Sequence, residues 1–522
     1  MISWPEAVAV SALLLVCRFS YGLFVSRRAL SHVPGPNSPS LVWGEEWKLY
    51  HTKPGSHYHG WKRTFGKVVK ISGAFGHPML CITDESAISY ILGAEGIYNF
   101  PKPHGVRIWF QKTLGNASRY RGFCVLFQVG KGILYVEGKE SHERQRRLLA
   151  PAFSQPSVRN FMPVFHEISS KLAVQWLHMM DDLGRDEIEI EVTNWAGRFA
   201  LESVGRAAFS HEFDLLSGDP SPLLEALDGL TNTQHNATSF YMRALFWIFP
   251  SILNIGKKGE MVRRTKMELG QVARKMWRDA KLANDSYEKT LMAQMLKADA
   301  ASEQRMDLDE IVAQMRTILS AAYEPVSSTV AWVLYELAIN PRTQEELRVE
   351  ISSHNTDPTL DELSTRFPIL HGVLLETLRL HPPILENHHE AAVTTSVPLS
   401  QPIPGTSESR LVIPKGTILF IPVNVMQTDS ELWGDDAHIF RPRRWMDGQS
   451  QHHPSLLAFS EGPRSCIGAR FAQAEIKALI VALIRQFSVR CDHEIEPFQS
   501  FVIRPRVKGT AMSSLPLKVK RV

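Results

Sequence analysis

Cysteine is scarce in this chain of 522 residues, and neither sign of charge is in large excess. The five cysteines (Cys17, Cys81, Cys124, Cys466 and Cys491) are scattered, and no two of them have metal-finger spacing. A disulfide framework is therefore not expected, and a reducing compartment is. Basic and acidic residues number 58 and 54, a balance that argues against nucleic acid as a partner. The sequence also has no internal repeat and no low-complexity segment.

The N-terminus carries the clearest apolar run. Residues 7–25 are apolar apart from Arg18 and a few small polar residues, and a helix of that length can span a bilayer. Arg27 and Arg28 follow at once, so the positive-inside rule predicts that the rest of the chain is cytoplasmic. A cleaved signal peptide is the competing interpretation, but no convincing small-x-small site follows and secretion fits the cysteines poorly. The sequence predicts a single-pass membrane anchor over residues 1–30.

Three prolines and a glycine then predict a stiff linker over residues 31–52, ahead of one catalytic domain at 53–522. The domain is predicted to be mainly α with small β-sheets. Two short β-branched runs predict an early sheet. Hydrophobic periodicity predicts helices elsewhere. The strand patterns lie at 67–71, 79–82 and 411–413, and the clearest helix patterns at 307–339, 367–380 and 469–487.

One cysteine lies in a loop suited to thiolate chemistry. Cys466 stands just before the last predicted helix, where the positive end of the helix dipole favours a thiolate. The loop contains two glycines and a proline, which can expose backbone N–H groups to the sulfur. Arg464 adds positive charge nearby. A lone cysteine in a turn is more often an inert buried side chain, so the residues around it decide between the two interpretations.

Those residues follow the pattern Phe-x-x-Gly-x-Arg-x-Cys-x-Gly, which resembles the haem-binding signature of the cytochrome P450 family. Each fixed position is matched, by Phe459, Gly462, Arg464, Cys466 and Gly468. The resemblance implies haem b as the cofactor, with Cys466 as the axial iron ligand and the other four residues in the cofactor-binding loop.

Three further motifs occur in the order of the family and extend the resemblance from the proline-rich segment to the end of the chain. Glu376 and Arg379 match a Glu-x-x-Arg helix, and Arg444 takes the position that completes a Glu-Arg-Arg triad. Arg443 replaces the glutamate that usually precedes that arginine. The segment 413–417 matches the strand and turn before it. The resemblance implies the cytochrome P450 fold, in which this triad is structural.

Haem propionates need cationic partners. By resemblance these are Arg146 and Arg464. His142 replaces the usual tryptophan of the helix that carries Arg146, and it can still donate one hydrogen bond. A further arginine of the family is replaced here by His388 or His389, which puts that contact in doubt.

The distal helix departs from the family pattern. The family has Ala/Gly-Gly-x-Asp/Glu-Thr, whereas this chain has Ala322 in place of the glycine, Glu324 as the acid and Pro325 in place of the threonine. That threonine supplies a hydroxyl to the proton relay of oxygen activation, and proline cannot. The ring of Pro325 also clashes with the carbonyl of Ala321, which is expected to open the helix. Glu324 and ordered water are then expected to carry protons.

Two activities therefore remain open. The first is a monooxygenase that inserts one oxygen atom of dioxygen into a lipophilic small molecule, with NADPH electrons from NADPH-cytochrome P450 reductase. By resemblance, such an enzyme lies in the endoplasmic reticulum membrane with its catalytic domain in the cytosol. The alternative is an isomerase or dehydratase that acts on a peroxide without external electrons. Because Glu324 would be dispensable in the alternative, the sequence favours the monooxygenase. Its general texture resembles fungal enzymes of secondary metabolism.

The sequence does not name the substrate. An apolar distal pocket is expected, and its candidate residues are Phe100, Trp109, Phe110, Ile318, Ala322, Ile384 and Leu385. The aromatic stretch 246–250 is expected in a loop that dips into the membrane. The segment Asn116–Val129 is longer than the usual connection of the family, either as a real loop or as an error in the gene prediction.

Overall fold

The structure is a computed structural model of the chain. It describes residues 24–115, 132–232, 236–282, 290–446 and 456–522, together with positions 17, 21, 22 and 234. Most of the apolar run at 7–25 and all of the segment 116–129 lie outside the described residues. Within the part of the chain that is described, no helix combines the length and the apolar character needed to cross a bilayer.

Eighteen helices and eleven strands are named here in chain order. The helices are α1 (Glu46–His51), α2 (Ser56–Phe65), α3 (Glu85–Leu92), α4 (His104–Thr113), α5 (Lys139–Leu149), α6 (Gln155–Leu183), α7 (Val192–Phe209), α8 (Pro222–Thr231), α9 (Ala237–Phe246), α10 (Gly256–Leu282), α11 (Leu291–Ala300), α12 (Leu308–Ile339), α13 (Pro341–Ser352), α14 (Leu360–Thr365), α15 (Pro368–Leu380), α16 (Val423–Thr428), α17 (Ser430–Trp433) and α18 (Ala469–Gln486). The strands are β1 (Val68–Ser72), β2 (Pro78–Ile82), β3 (Glu187–Glu191), β4 (Glu386–Glu390), β5 (Thr395–Pro398), β6 (Arg410–Ile413), β7 (Ile418–Pro422), β8 (Phe487–Arg490), β9 (Ile495–Gln499), β10 (Ile503–Val507) and β11 (Pro516–Arg521).

The strands form four small sheets beside the helices. The largest has the order β1-β2-β7-β4, in which only the β2–β7 pair is parallel. The others are β3-β11-β8, the hairpin β9-β10 and the pair β5-β6. The main hydrophobic core lies among the long helices, and a second core packs under the largest sheet. The prediction of a mainly α fold with small sheets is confirmed.

Helix α12 runs through the main core, as its apolar pattern predicts. Asp307 is its N-cap and accepts a hydrogen bond of 2.7 Å from the N–H of Glu310. The helix ends before Pro341 and continues past Pro325 without a break. Since Pro325 has no N–H, the usual i to i+4 hydrogen bond to the carbonyl of Ala321 cannot form. The predicted opening at Pro325 is thus confined to one missing bond and does not divide the helix.

Part of the segment 31–52, predicted as a linker, contacts the largest sheet. Leu30 and Val33 are buried, and the carbonyl of Pro34 accepts a hydrogen bond of 2.9 Å from the N–H of Lys70 in β1. The N–H of Glu45 donates to the carbonyl of Ser72 at the other end of the strand. The segment therefore docks on the edge of the largest sheet and belongs to the catalytic body. Composition could not show this docking. A proline-rich segment is typical of an open linker, but its carbonyls can also accept hydrogen bonds from the edge strand of a sheet.

One acidic side chain lies unpaired in the core of α18. Glu475 is 1% exposed, and among the described residues neither carboxyl oxygen has a hydrogen-bond partner within reach. Ser203 of α7 is its polar neighbour. Burial raises the pKa of Glu475 to about 8, opposed only by Ser203. The carboxyl is therefore neutral at pH 7.

This neutral acid makes stability depend on pH. Between the ordinary pKa of 4.5 and about 8, the folded chain retains a proton at Glu475 that the unfolded chain has lost. The free energy of unfolding should therefore fall as pH rises through this window, by about 1.4 kcal/mol per unit at full proton difference. Glu475→Gln should remove that slope and raise the melting temperature at pH 8, and little should change at pH 5.

Urea or thermal unfolding across pH 5–9 measures this slope. The matched control is Glu345→Gln, because Glu345 is 68% exposed on α13. An unchanged pH slope in Glu475→Gln would contradict the assignment.

Candidate active site around Cys466

The cysteine loop is a folded unit between two short 3₁₀ turns and helix α18. The turns are Leu457–Phe459 and Gly462–Arg464, and the N–H of Cys466 donates across the loop to the carbonyl of Phe459 at 2.8 Å. Gly462 has a φ of +69°, and a Cβ there would lie 2.0 Å from the carbonyl oxygen of Leu92. Only glycine fits at this position.

The sulfur of Cys466 has mixed surroundings. Burial raises its pKa, while a backbone hydrogen bond from Gly468 and the charge of Arg146 act in the opposite direction. Even so, the residue is solvent-accessible. Partly buried Phe459 and Ile467 on either side of it pack against the main core, so the sulfur lies close to the protein interior while solvent still reaches it. A bound cation such as iron would shift the balance to the thiolate.

Arg146, predicted as a partner of the haem propionates, joins helix α5 to the loop. Its guanidinium donates to the carbonyl of Ser465 at 2.8 Å and to the Ser465 hydroxyl at 3.2 Å. Helix α5 thereby brings a positive charge next to the sulfur.

Glu376, Arg379 and Arg444 form the predicted triad in a site that excludes solvent. Arg379 donates two hydrogen bonds, of 2.9 and 2.7 Å, to the two oxygens of Glu376, and Arg444 adds a third at 3.3 Å. Trp445 and the backbone N–H of Arg441 complete the carboxylate shell. All three charged side chains of the triad are at most 1% exposed. A carboxylate so fully bonded and enclosed is structural and cannot reach a substrate.

Arg464 is the centre of a second group. Its guanidinium donates to the carbonyl of Val136 at 3.1 Å and lies 5.5 Å from the ring centroid of Tyr98. The hydroxyl of Tyr98 is 3.2 Å from Nδ1 of His142. Burial, followed by the charges of Arg464 and Arg146, lowers the pKa of His142 to about 4. His142 is therefore a neutral neighbour of both arginines, where the family has tryptophan.

Lys102 adds a further cation to this group, and His389 lies beside it. Burial lowers the pKa of Lys102 to about 8, with a further contribution from Arg464. His389 is buried against the carbonyl of Phe100 at 2.6 Å, and burial lowers its pKa to about 3. His388 instead stacks on Trp247 with ring centroids 4.6 Å apart. Of the two histidines, His389 therefore lies at the cationic group, where it is neutral.

These residues fit haem. A solvent-accessible sulfur donor lies beside Arg146, and Arg464 and Lys102 add positive charge nearby. The Nε of Arg464 is buried, and no described residue accepts its hydrogen bond. Burial and the charge of Arg107 both lower the pKa of Arg464. Such a desolvated group of cations is suited to the two propionate carboxylates.

Helix α12 has an accessible stretch with small side chains. Ala321 is exposed and Ala322 and Pro325 are half-buried in a helix whose other central residues are mostly buried. Ala322 packs against the same core cluster as Phe459 and Ile467. The sequence-predicted residues Ala322 and Pro325 therefore lie in this accessible stretch.

Glu324 lies on another face, since adjacent helical residues point about 100° apart. It is 4% exposed, and its Oε1 accepts a hydrogen bond of 2.6 Å from Arg504 of β10. Arg504 also donates to Asp228 of α8 at 2.6 Å. Oε2 has no partner among the described residues. Burial raises the pKa of Glu324, and the charge of Arg504 opposes this.

The candidate pocket residues separate into two groups. Trp109 and Phe110 of α4 contact Phe501 at the tip of the β9–β10 hairpin, with ring centroids 5.1 and 5.9 Å apart. Ile318 and Ala322 belong to the adjoining core, and Ile384 is half-buried. Phe100 and Leu385 lie in other core clusters. The structure thus brings α4, α12 and the hairpin together and leaves Phe100 as a packing residue.

Sequence reasoning missed Tyr98, Lys102 and Arg504. Each acts through a partner distant in sequence, and none falls in a motif that the sequence displays. Arg504 had one available signal: a basic residue between two apolar ones in a strand pattern, Ile503-Arg504-Pro505.

Comparison with known proteins agrees with this geometry. The family model of Cytochrome P450 matches residues 33–512. The cytochrome P450 monooxygenase claQ of Ampulloclitocybe clavipes is 32% identical over 513 residues, which cover 94% of this chain and 92% of that protein. Its paralogue claO is 33% identical over 516 residues, covering 94% and 93%. Cytochrome P450 monooxygenase 205 of Postia placenta is 30% identical over 539 residues, covering 95% and 94%.

A thiolate loop, a buried triad and a cationic group occur in one fold, and the family match extends over nearly the whole of that fold. The chain therefore belongs to the cytochrome P450 family, and it is a haem-thiolate enzyme of the monooxygenase type.

Proposed function

We propose that this enzyme inserts one oxygen atom into a lipophilic small molecule with electrons from NADPH. The balanced reaction is R–H + O₂ + NADPH + H⁺ → R–OH + H₂O + NADP⁺. NADPH-cytochrome P450 reductase is the proposed electron donor. The observation that carries the proposal is the Cys466 loop, which leaves a solvent-accessible sulfur beside Arg146 and the N–H of Gly468. The relatives named as monooxygenases support the same reaction class.

Haem bound beside Cys466 would supply the oxygen-activating redox chemistry. The chain's own residues hold and surround it. Cys466 is the proposed iron ligand, and Arg146, Arg464 and Lys102 are the proposed partners of the propionates. Ala321 and Ala322 have small side chains, which would leave room for dioxygen and a substrate carbon on the distal side.

Protons must reach the distal side without a threonine hydroxyl. Thr329 cannot replace it directly, since its hydroxyl donates to the carbonyl of Pro325 at 2.7 Å. Ser328 donates to the carbonyl of Ile503. Glu324 remains the proposed proton carrier, with Oε1 held by Arg504 and Oε2 available to water. Water next to the carbonyl of Ala321, which lacks its helical donor, would extend the route toward the distal side.

A lipophilic substrate is proposed from a wall of aromatic side chains. Trp109, Phe110 and Phe501 place three rings at the junction of α4 with the β9–β10 hairpin. Such a wall favours apolar ligands through burial of their surface.

An apolar surface supports association with a membrane. Phe75 is 42% exposed at the β1–β2 turn, where it adopts a φ of +55°. Trp43 lies between Phe75 and Tyr241, with centroids 6.3 and 5.4 Å away. Leu41 and Trp47 are also exposed on this part of the chain. We propose that this surface rests on the endoplasmic reticulum membrane, with the single-pass anchor in the bilayer and the catalytic domain in the cytosol.

The thiolate assignment and the reaction can be tested together. Purified protein with NADPH and reductase should convert members of a terpenoid and sterol panel to oxygenated products. The reduced carbon monoxide complex should show the thiolate signature. Cys466→Ala should abolish both, because no other residue of the loop offers a thiolate.

Cys491→Ala is the matched control, since Cys491 is half-buried after β8 and away from the loop. Retention of the signature in Cys466→Ala would refute the ligand assignment. Turnover of hydroperoxides without NADPH, together with no NADPH-dependent product, would instead indicate an isomerase.

Proton delivery through Glu324 predicts a loss of turnover that can be distinguished from an effect of disturbed packing. Glu324→Gln should lower the rate of product formation by about 10²–10⁴-fold and increase peroxide leakage, with haem loading intact. The control is Asp228→Asn, which removes the other carboxylate bound to Arg504 but leaves Glu324 in place. Equal losses in the two variants would show that the network only anchors the hairpin.

The membrane topology predicts a fractionation result. The full chain, expressed in cells with an endoplasmic reticulum, should remain in the membrane pellet after alkaline carbonate washing. The wash removes proteins held at the membrane surface by polar contacts, whereas a spanning helix stays in the bilayer core. Protease added to intact microsomes should degrade the catalytic domain. A protected domain would contradict the cytosolic orientation, and release by carbonate would contradict the anchor.

A further inference from the structure

Gln427 of α16 makes an unusual set of contacts between the triad helix and the cysteine loop. It is 1% exposed. Its Nε2 donates to the carbonyls of Leu378 and Arg379, at 3.0 and 2.9 Å, and its Oε1 accepts from the N–H of Ala458 at 3.0 Å. The orientation of the amide is fixed by these partners, because carbonyls can only accept and the N–H can only donate.

The sequence explains why α15 needs this side chain. In a continuing helix, the carbonyls of Leu378 and Arg379 would accept from the residues four positions on. Those residues are Pro382 and Pro383, which have no N–H. Gln427 replaces both missing donors with one amide group. Unpaired and buried, each carbonyl would otherwise weaken the end of the triad helix.

The other end of the amide reaches the loop. Ala458 lies in the 3₁₀ turn Leu457–Phe459, and the carbonyl of Phe459 accepts from the N–H of Cys466. The backbone carbonyl of Gln427 in turn accepts from Arg379 at 2.8 Å. One residue thus connects the triad, the proline-terminated helix and the turn that sets the position of the cysteine backbone.

We propose that Gln427 is a positioning residue that holds the Cys466 loop in the geometry needed for thiolate ligation of the haem iron. The inference rests on the proposed role of Cys466. It goes beyond the family motifs because Gln427 lies outside all of them, and the inference assigns to this residue the transmission of triad geometry to the sulfur.

The chain offers a closely matched control in Gln344 of α13. This residue is also buried, and its Nε2 donates to the carbonyls of Leu337 and Val489, both at 2.9 Å. Its Oε1 accepts from the N–H of Val489 at 2.9 Å and, more weakly, from the guanidinium of Arg348 at 3.4 Å. The carbonyl of Leu337 lacks a helical donor for the same reason, since the residue four positions on is Pro341. Gln344 therefore performs the same capping but has no contact with the cysteine loop.

The experiment compares Gln427→Leu with Gln344→Leu in the haem-loaded full chain. Each variant loses two donors and one acceptor, so both should have a lower melting temperature. Only Gln427→Leu should destabilise ligation, with the thiolate signature of the reduced carbon monoxide complex lost about tenfold faster than in the parent. That factor corresponds to about 1.4 kcal/mol, the scale of one unpaired buried group such as the N–H of Ala458.

Equal rates of signature loss in the two variants, at equal loss of melting temperature, would overturn the proposal. If Gln427→Leu does not fold, Gln427→Glu decides, because it keeps an oxygen that accepts from Ala458. We expect this variant to melt earlier yet keep the signature, and loss of the signature there would also overturn the proposal. Absence of the signature in the parent enzyme would instead refute the proposed ligand, so the two failures can be distinguished.

Discussion

The burial of one carboxylate, that of Glu376, constrains much of this fold. An ionised carboxyl without solvent is strongly unfavourable unless its lone pairs are filled. Here Arg379, Arg444, Trp445 and the N–H of Arg441 fill them. Because three of these donors come from the segment just before the cysteine loop, helix α15 and that segment can fold only together. The buried carboxylate therefore fixes the relative positions of the elements that donate hydrogen bonds to it.

The guanidinium of Arg379 links Glu376 to further parts of the backbone. Beyond Glu376, it donates to the backbone carbonyls of Gln427, Ala437 and Ile439. Arg444 likewise binds Asp436 through its side chain and its carbonyl. The irregular backbone at 436–439, which follows α17, is thus bonded to buried arginines where regular secondary structure is lacking. Under the role proposed for Gln427, this bonding also contributes to the position of the sulfur.

Much of this architecture could be predicted from sequence because its signals are local. Cys466, Gly462 and Arg464 lie within one ten-residue pattern, and the bounds of α12 follow from an N-cap at Asp307 and the proline at 341. Other features could not be predicted, since they depend on pairs distant along the chain. Arg504 is 180 residues from Glu324, and Lys102 meets Arg464 only in the folded protein. The docking of residues 31–52 was missed for a related reason, because a strand edge that accepts a proline-rich segment leaves no periodic trace.

The placement of the last strands bears on how the protein is made. Strand β11 lies between β3 and β8, with Val519 opposite both Ile188 and Val489. The β9–β10 hairpin provides Arg504 and Phe501 to the distal side. Contacts between residues so far apart close late in folding, since each requires a long loop to be closed. On a ribosome-bound chain, Phe501 and Arg504 would thus be the last of these side chains to reach the site, after α4, α12 and the cysteine loop have been made, so haem that binds early would meet a site that still lacks the hairpin.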